Sequence, residues 1–253
     1  MSRAFVVALA LFAGFGSWAH ADEPVYELRI YKCNPGKLDA LQARFRDHTL
    51  GFFEKHGIKN VAYWTPANGA DQHDTLIYLL EHASPEAAKA SWEAFRADED
   101  WKKVAADSQK DGPILLKEGG IKSISMKKTD YSPAVLMPQA GKLYELRTYV
   151  APEGKLADLN SRFRDHTDKL FRKHGMNCIG YWTPTDAPAS ENTLIYVLEY
   201  DNAEAAKAAW TGFLADPEWH TARKESEKNG KLTAKPPESV YMTVTDYSPK
   251  RSE

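Results

Sequence analysis

The sequence predicts an α+β fold of two tandem ferredoxin-like βαββαβ plaits that pair within one chain as the two halves of an α/β barrel. The first supporting observation is an internal duplication. The segment RFRDHT at positions 44–49 returns 118 residues later at 162–167, and YWTP at 63–66 returns at 181–184 with the same offset. The second observation is the order of predicted elements, which is strand, helix, strand, strand, helix, strand in each repeat.

The length of the period identifies the kind of repeat. Solenoid repeats contain about 20 to 50 residues, whereas the offset here is 118 residues, so it indicates a duplicated domain. Both copies end in the sequence TDYSP. We predict a first repeat at residues 24–133, a linker at 134–142 and a second repeat at 143–249.

Each repeat begins with a predicted strand and a predicted helix. Residues 25–33 alternate in polarity and are rich in Tyr and Ile, which is typical of a β-strand. An Asn-Pro-Gly turn ends the strand. Side chains at helical spacing then predict one helix face, formed by Leu38, Leu41, Phe45, Phe52 and His56.

The second half of each repeat follows from strand and capping signals. Residues 59–66 and 75–82 predict two further strands, and residues 122–128 predict the last one. Between them, Ser84-Pro85 is typical of a helix start, and Asn202 takes that place in the second repeat. Asp98 and Asp216 are predicted to cap a second helical segment.

This order of elements is typical of a ferredoxin-like plait. Its two helices cover one face of the four-stranded sheet and leave the other face open. Two plaits can bury their open faces together and close a barrel. Two repeats in one chain therefore favour a monomer with an internal pseudo-dimer, with a homodimer as the alternative.

The N-terminus predicts an export signal. Arg3 precedes an apolar run at residues 4–16, and Ala19-His20-Ala21 has the small-x-small pattern of a cleavage site. A membrane anchor is the alternative, but a bilayer-spanning helix needs about 20 apolar residues. We expect residues 1–21 to be a signal peptide whose removal leaves a periplasmic or secreted protein that is not bound to a membrane.

Composition and missing motifs exclude several function classes. With 43% apolar and 27% charged residues, the chain is globular rather than disordered. A formal net charge of −2 without a basic cluster predicts no nucleic-acid partner. The sequence has no G-x-S-x-G, P-loop, H-E-x-x-H or C-x-x-C motif, and we predict no metal site. Whether Cys33 and Cys178 are free is left open.

Four sequence features resemble the NIPSNAP family. They are the opening strand (YELRIY at 26–31 and YELRTY at 144–149), the Pro-Gly turn before a helix rich in Arg and Phe, Gly180-Tyr181-Trp182, and ADPEW at 215–219. The first repeat departs from this pattern at Ala62 and Glu99. The resemblance implies the dimeric α/β-barrel superfamily, which includes monooxygenases, haem-degrading enzymes, isomerases and binding proteins. It thus implies the fold more firmly than the function.

The opening strand supplies candidate ligand-binding residues. Alternation places Tyr26, Leu28 and Ile30 on one face, which we expect to pack on the helices. The polar residues of the other face are expected to point into the space between the two sheets. Together with one tyrosine from the second strand of each repeat, the candidates are Glu27, Arg29, Tyr31, Tyr63, Glu145, Arg147, Tyr149 and Tyr181.

Charged groups inside a barrel must be paired or solvated. One interpretation is therefore a polar cavity that binds a small anionic or aromatic molecule. The other is that the Glu–Arg pairs only hold the two halves in register.

Histidines supply the candidate catalytic residues. His48 and His166 lie at the edge of the predicted apolar helix face and are candidates for an acid–base catalyst or a haem ligand. The alternative interpretation is that both are partly buried histidines without a chemical role. His56 and His174 lie in the last helical turn, where an imidazole favours C-terminal capping. No cofactor is predicted, and haem is the alternative.

Other helical side chains are interpreted as structural. Arg44, Arg46 and Asp47 are expected to form a solvated helix face. The aromatic residues of the later helices are expected to lie in the core; they are Trp92, Phe95, Trp101, Trp210, Phe213 and Trp219.

Three function hypotheses follow, and the sequence does not decide whether the protein is an enzyme. The first is binding of a small molecule in a cavity between the sheets or between sheet and helices. The second is a cofactor-independent monooxygenase or isomerase, and the third is a non-catalytic protein-interaction module. A cavity of about 300 Å³ or more favours the first two, and a histidine beside that cavity favours the second.

Overall fold

The computed structural model describes residues 23–251, so the predicted signal peptide at residues 1–21 lies outside the described part. The first repeat has four strands: β1 (Val25–Lys32), β2 (Lys59–Pro66), β3 (Thr75–His82) and β4 (Ile121–Lys128). Its helices are α1 (Leu38–Arg44), a π-helical segment (Phe45–Thr49), α2 (Leu50–Lys55), a 3₁₀ turn (Ala70–His73), α3 (Pro85–Ala97) and α4 (Glu99–Asp107).

The second repeat follows the same plan. Its strands are β5 (Leu143–Val150), β6 (Asn177–Pro184), β7 (Thr193–Tyr200) and β8 (Glu238–Val244). Its helices are α5 (Leu156–Arg162), a π-helical segment (Phe163–Thr167), α6 (Asp168–Lys173), α7 (Ala189–Asn192), α8 (Ala203–Ala215) and α9 (Pro217–Ser226).

The strands of both repeats close a single barrel in the order β1-β3-β2-β8-β5-β7-β6-β4. Each repeat contributes four neighbouring strands, and the two sheets join where β2 meets β8 and β4 meets β6. These junctions are antiparallel and short: Trp64 lies opposite Val244 at one, and Met126 lies opposite Pro184 at the other. The predicted pairing of two plaits within one chain is confirmed.

Apolar side chains from both repeats fill the interior of the barrel. The Trp64 ring of the first repeat lies 5.8 Å from the Tyr144 ring of the second, and the Tyr26 ring lies 5.8 Å from that of Trp182. All four side chains are almost completely buried. Neither repeat can therefore bury its inner sheet face without the other.

The predicted orientation of the opening strand is wrong. Tyr26 points into the barrel and not towards the helices. Glu27, Arg29 and Tyr31 face the helices instead, and the Trp92 indole of α3 donates a hydrogen bond to Glu27 Oε2 over 2.7 Å. The physical reason is that side chains alone fill the interior of an eight-stranded barrel, where an unpaired charge is costly. The helix side supplies hydrogen-bond donors.

A π-helical segment interrupts the first long helix of each repeat, which the sequence pattern did not predict. In the first repeat, the Thr49 hydroxyl donates to the Arg44 carbonyl oxygen, five residues earlier, over 3.1 Å. A π turn inserts one extra residue and rotates every side chain that follows. As a result Phe53, not the predicted Phe52, lies fully in the core.

The predicted helix caps are confirmed, and two of them are joined to a histidine. Asp98 Oδ1 accepts the backbone N–H of Asp100 over 2.9 Å and begins α4. Its Oδ2 lies 2.8 Å from Nε2 of His56, the C-cap residue of α2. Hydrogen bonds from Lys55 and His56 hold the pKa of the Asp98 carboxyl well below its usual range. Asp216 and His174 repeat this contact at 2.7 Å.

Two further features of the described residues bear on the sequence predictions. No helix between residues 23 and 251 combines the length and the apolar character needed to cross a bilayer. Cys33 and Cys178 are both free thiols.

Because the interior is shared, we predict that the two repeats unfold in one cooperative transition. Trp182→Ala removes a buried indole and should lower the free energy of unfolding by about 3 to 5 kcal/mol, measured by urea titration. Ile121→Ala, at an exposed strand position, is the control and should change it by less than about 0.5 kcal/mol. Two separate transitions, one for each repeat, would contradict a shared interior.

Candidate functional site

A cavity of about 870 Å³ lies between the outer face of the second repeat's sheet and the helices that cover it. This volume falls within the usual range of small-molecule sites, about 300 to 1,000 Å³. The residues that line its wall come from β5, β8 and all the long helices of the repeat. Its aromatic lining is formed by Tyr149, Phe163, Phe171, Trp210, Phe213, Trp219 and Tyr241.

The Glu145 carboxylate is the centre of the polar wall. It is completely buried and accepts hydrogen bonds from four side chains. The donors, with their distances to the carboxylate oxygens, are Arg147 Nη1 at 2.5 Å, Ser239 Oγ at 2.5 Å, Tyr200 Oη at 2.6 Å and Trp210 Nε1 at 2.9 Å. A charge buried in this way is stable because its lone pairs are satisfied.

The Arg147 guanidinium contacts two aromatic rings. Its carbon Cζ is 4.3 Å from the centre of the Trp210 ring and 5.5 Å from that of Tyr149. Burial alone would lower the pKa of Arg147, but the oxygens of Tyr196 and Tyr149 and the Glu145 carboxylate raise it above its usual value. Arg147 is therefore a permanent cation, and its second amino group makes only a long bond of 3.4 Å to Tyr149.

A second pair of cationic side chains, from α5 and α9, lines the cavity. Arg162 donates from Nη1 to Glu227 over 3.0 Å, and Arg223 donates from Nε to the same carboxylate over 3.3 Å. The Arg162 guanidinium carbon lies 5.2 Å from the Trp219 ring. Arg147 and Lys207 bring the number of cationic side chains in the lining to four, against the two carboxylates of Glu145 and Glu227. The cavity therefore has an excess of positive charge.

The first repeat completes the wall of this cavity. Ala67 and Asn68, which follow β2, belong to its lining. The backbone N–H of Ala67 donates to the Tyr241 carbonyl oxygen of β8 over 2.7 Å, which holds the loop against the second repeat. The site therefore depends on closure of the barrel.

The first repeat contains a closely similar polar cluster. Glu27 accepts from Arg29 over 2.5 Å, from Ser123 over 2.5 Å and from Trp92 over 2.7 Å, while His82 takes the place of Tyr200 at 3.2 Å. Burial would raise the pKa of Glu27, but the hydrogen bonds from His82, Ser123 and Trp92 and the charge of Arg29 lower it to about 2.

The structure brings together three of the candidate residues at the cavity. Glu145, Arg147 and Tyr149 line it, on the helix side of the sheet rather than between the sheets as predicted. Tyr63 and Tyr181 also face the helices but do not belong to its wall. Their hydroxyls are engaged elsewhere, that of Tyr63 with Asn60 over 2.5 Å and that of Tyr181 with Asp168 over 3.1 Å.

The candidate histidines are not at the cavity. His48 and His166 lie on the exposed side of the π-helical segments. Their neighbours behave differently from the predicted solvated helix face, since Arg44 is buried whereas Arg46 is exposed and paired with Asp246. Arg44 precedes the π turn and lies three residues after Leu41, so the ordinary helical period already turns it towards the buried side of α1.

Sequence reasoning missed the functional potential of the helical residues at the site. Phe213 lies in the core as predicted, whereas Trp210 and Trp219 are only partly buried, pack against the core and form walls of the cavity. Arg162 and Glu227 were not recognised as a pair because 65 residues separate them. The one available signal was the tryptophan indole, which requires an acceptor when it is buried.

Metal ligands do not converge at this site. Across residues 23–251, no group of three or more His, Cys, Asp and Glu side chains is arranged to hold a metal ion.

We predict that Glu27 makes the protein sensitive to acid. The folded-state pKa of Glu27, about 2, lies below the value of 4.5 for a free glutamate. The ionised carboxylate therefore adds its full share to the free energy of unfolding above about pH 4.5, and this share is lost as the pH falls towards 2. The pKa difference corresponds to roughly 3 kcal/mol of unfolding free energy. Glu27→Gln should flatten the dependence of unfolding free energy on pH in this window, measured by urea titration.

Glu99→Gln, at an exposed position, is the control for this measurement and should leave the pH dependence unchanged. An identical loss of stability between pH 4.5 and 2 in Glu27→Gln and in the wild type would show that Glu27 does not titrate with folding.

Comparison with solved structures supports the fold. A proposed monooxygenase from Lactobacillus acidophilus NCFM is 12% identical with a TM-score of 0.54, over 88% of this chain and 94% of that one. A second proposed monooxygenase, from Fusobacterium nucleatum subsp. nucleatum, is 11% identical with a TM-score of 0.56, over 88% and 93% of the two chains. An anthrone oxidase-like protein is 14% identical with a TM-score of 0.50, over 88% and 92%.

At these identities the likeness establishes the barrel architecture and nothing about the reaction. No protein of curated function matches the sequence. The NIPSNAP family model, in contrast, matches both repeats, at residues 26–133 and 144–249. The chain therefore belongs to the NIPSNAP family and carries two of its domains in tandem.

Proposed function

We propose that the protein binds a small aromatic molecule with an anionic group in the cavity of the second repeat. The observation that carries this proposal is the contact of the Arg147 guanidinium with the Trp210 and Tyr149 rings in a cavity of about 870 Å³. Such a volume accommodates a ligand of drug-like size.

The aromatic lining favours a flat ligand. The rings of Phe171 and Trp210 meet edge to face at 5.6 Å, and those of Phe213 and Trp219 lie 4.5 Å apart. A flat ring can add to such a cluster with offset or edge-to-face contacts, which contribute beyond the burial of apolar area.

The charges of the lining favour an anion. Glu145 is saturated by its four donors, so it is not free to bind a ligand. Arg147 keeps a long bond to Tyr149 that a ligand oxygen can replace, and Lys207 at the exposed rim has no role in these ion pairs. A carboxylate or phenolate on the ligand would thus meet donors rather than competing acceptors.

Enzymatic activity is the alternative to simple binding. A cofactor-independent monooxygenase or isomerase finds support in the fold neighbours that carry a monooxygenase description. The described residues that line the cavity include no histidine. A proton transfer there would rest on Tyr149, Tyr241 or Glu227 and not on His48 or His166.

The interaction-module hypothesis draws on the packed barrel interior. The cavity on the helix side favours ligand binding over the interaction-module hypothesis.

Export to the periplasm or the medium remains part of the proposal, and its support is the apolar run and the small-x-small sequence within residues 1–21.

We predict that blocking the cavity abolishes binding of an aromatic anion. Thr211 is exposed at the rim on α8, so Thr211→Trp should fill the opening without disturbing the core. The probe is 1-naphthoate and the measurement is isothermal titration calorimetry, in which Thr211→Trp should weaken binding at least about tenfold. The matched control is Glu93→Trp, at the equivalent exposed position of the first repeat.

A second pair of variants tests the charge. Arg147→Met and Arg29→Met each remove an arginine that pairs with a buried glutamate, so both should lose similar stability. Only Arg147→Met should lose affinity for 1-naphthoate. Equal affinity in the wild type and Arg147→Met would remove Arg147 from the binding site.

We predict that the protein recovered from the cell has lost residues 1–21. Native mass spectrometry of protein purified without refolding should give a mass that starts at Asp22, and it reports the oligomeric state and any retained ligand in the same spectrum. A mass that includes Met1 and the following apolar run would contradict removal of a signal peptide.

A further inference from the structure

Arg44 is a buried cation that has no carboxylate partner within residues 23–251. Its side chain is 8% exposed. Its hydrogen bond is a long one, from Nη1 to the Ser108 hydroxyl over 3.3 Å, and Nε has no acceptor among the described residues. The Trp101 ring lies 5.7 Å from the guanidinium carbon, and the other polar neighbours that act on its charge, Tyr31, Tyr78 and Cys33, include no carboxylate.

The second repeat shows what completes this arrangement. Arg162 is the equivalent of Arg44 and lies beside Trp219, the equivalent of Trp101. It is 4% exposed, and its charge is balanced by Glu227 at 3.0 Å. The two arginines thus share a helix position, a tryptophan neighbour and a degree of burial, but not a counter-ion.

Two substitutions between the repeats account for the difference. Gln109 stands where the second repeat has Glu227, and Ala105 stands where it has Arg223. The Gln109 amide is exposed and donates to the Ala105 carbonyl oxygen over 3.0 Å, so it turns back onto its own helix. Ala105 carries no charge either, so among the described residues neither the Glu227 carboxylate nor the Arg223 guanidinium has a counterpart beside Arg44.

A buried guanidinium without a counter-charge is unfavourable. Removing one partner of a buried ion pair destabilises a protein strongly, because the other charge stays desolvated. Arginine cannot escape this by losing its proton. An anion from solution relieves the imbalance, and the second repeat shows that a carboxylate is the group that suits this environment.

We propose that the first repeat binds a small carboxylate ligand at Arg44, in the position that the Glu227 side chain fills beside Arg162 in the second repeat. This site involves other residues than the cavity of the second repeat and does not rest on the function proposed for that cavity. The two repeats then differ in a simple way, since one carries its carboxylate in the chain and the other takes it from solution.

The test uses acetate as the probe and the melting temperature (Tm) of the full chain as the measurement. Sodium acetate is compared with sodium chloride at equal ionic strength. A ligand that binds only the folded state raises Tm steadily once its concentration exceeds its Kd, by about 3 to 6 °C for each tenfold increase. We expect this response in the wild type.

Two reciprocal variants identify the site. Gln109→Glu supplies the counter-ion within the chain, so it should raise Tm in chloride and lose the acetate response. Glu227→Gln removes the counter-ion of Arg162 and should lower Tm in chloride and enlarge the acetate response. General effects of acetate on protein stability would shift all three proteins equally.

Several outcomes would overturn the proposal. A wild type that responds equally to acetate and chloride would do so, and so would Gln109→Glu with an undiminished acetate response. Thr211→Trp, which blocks the cavity of the second repeat, should keep the acetate response. Loss of the response in this variant would assign acetate binding to that cavity instead. If Gln109→Glu does not fold, a crystal structure of the wild type in acetate decides, since the density of a carboxylate must lie beside the Arg44 guanidinium.

Discussion

The closed barrel interior is the constraint on which the rest of the structure depends. The inner faces of both sheets are apolar and fill one interior, in which Trp64 and Trp182 are completely buried. Because side chains along a strand alternate between faces, filling this interior with apolar groups sends the intervening Glu, Arg and Tyr residues outward. The polar clusters around Glu27 and Glu145 are therefore a consequence of closure, and they are stable because α3 and α8 provide indole donors above them.

Duplication has left two sites that share a scaffold and differ in chemistry. The Glu–Arg–Tyr cluster on the opening strand, the π-helical segment and the Asp–His contact occur in both repeats. The differences lie on α4 and α9 and on the residues just after them, where Gln109 replaces Glu227 and Ala105 replaces Arg223. Arg223 and Glu227 line the cavity of the second repeat, whereas Gln109 is exposed, and none of these positions packs inside the barrel. They can therefore change charge without disturbing the interior that both repeats share.

Local patterns predicted the elements well because the forces that start and stop them are local. The capping roles of Ser84, Asn202 and Asp98 depend on backbone N–H groups two or three residues away. The helix face was predicted correctly as far as Phe45, and it failed beyond that point because the π turn adds one residue to the period. The candidate residues Glu145, Arg147 and Tyr149 were found from strand alternation, whereas Arg162 and Glu227 were not, since their contact joins distant parts of the chain.

By itself, the sequence determined the duplication, the βαββαβ order and the pairing of two plaits in one chain, because repeated motifs and hydrophobic periodicity are written in consecutive residues. Tertiary structure alone decided which face of each sheet became the interior. Alternation defines two faces but does not say which one meets the other sheet, and that choice depends on the partners each face finds across the fold. The same holds for the counter-ions of Arg44 and Arg162. Whether a carboxylate lies beside each guanidinium depends on contacts between parts of the chain that are more than 60 residues apart.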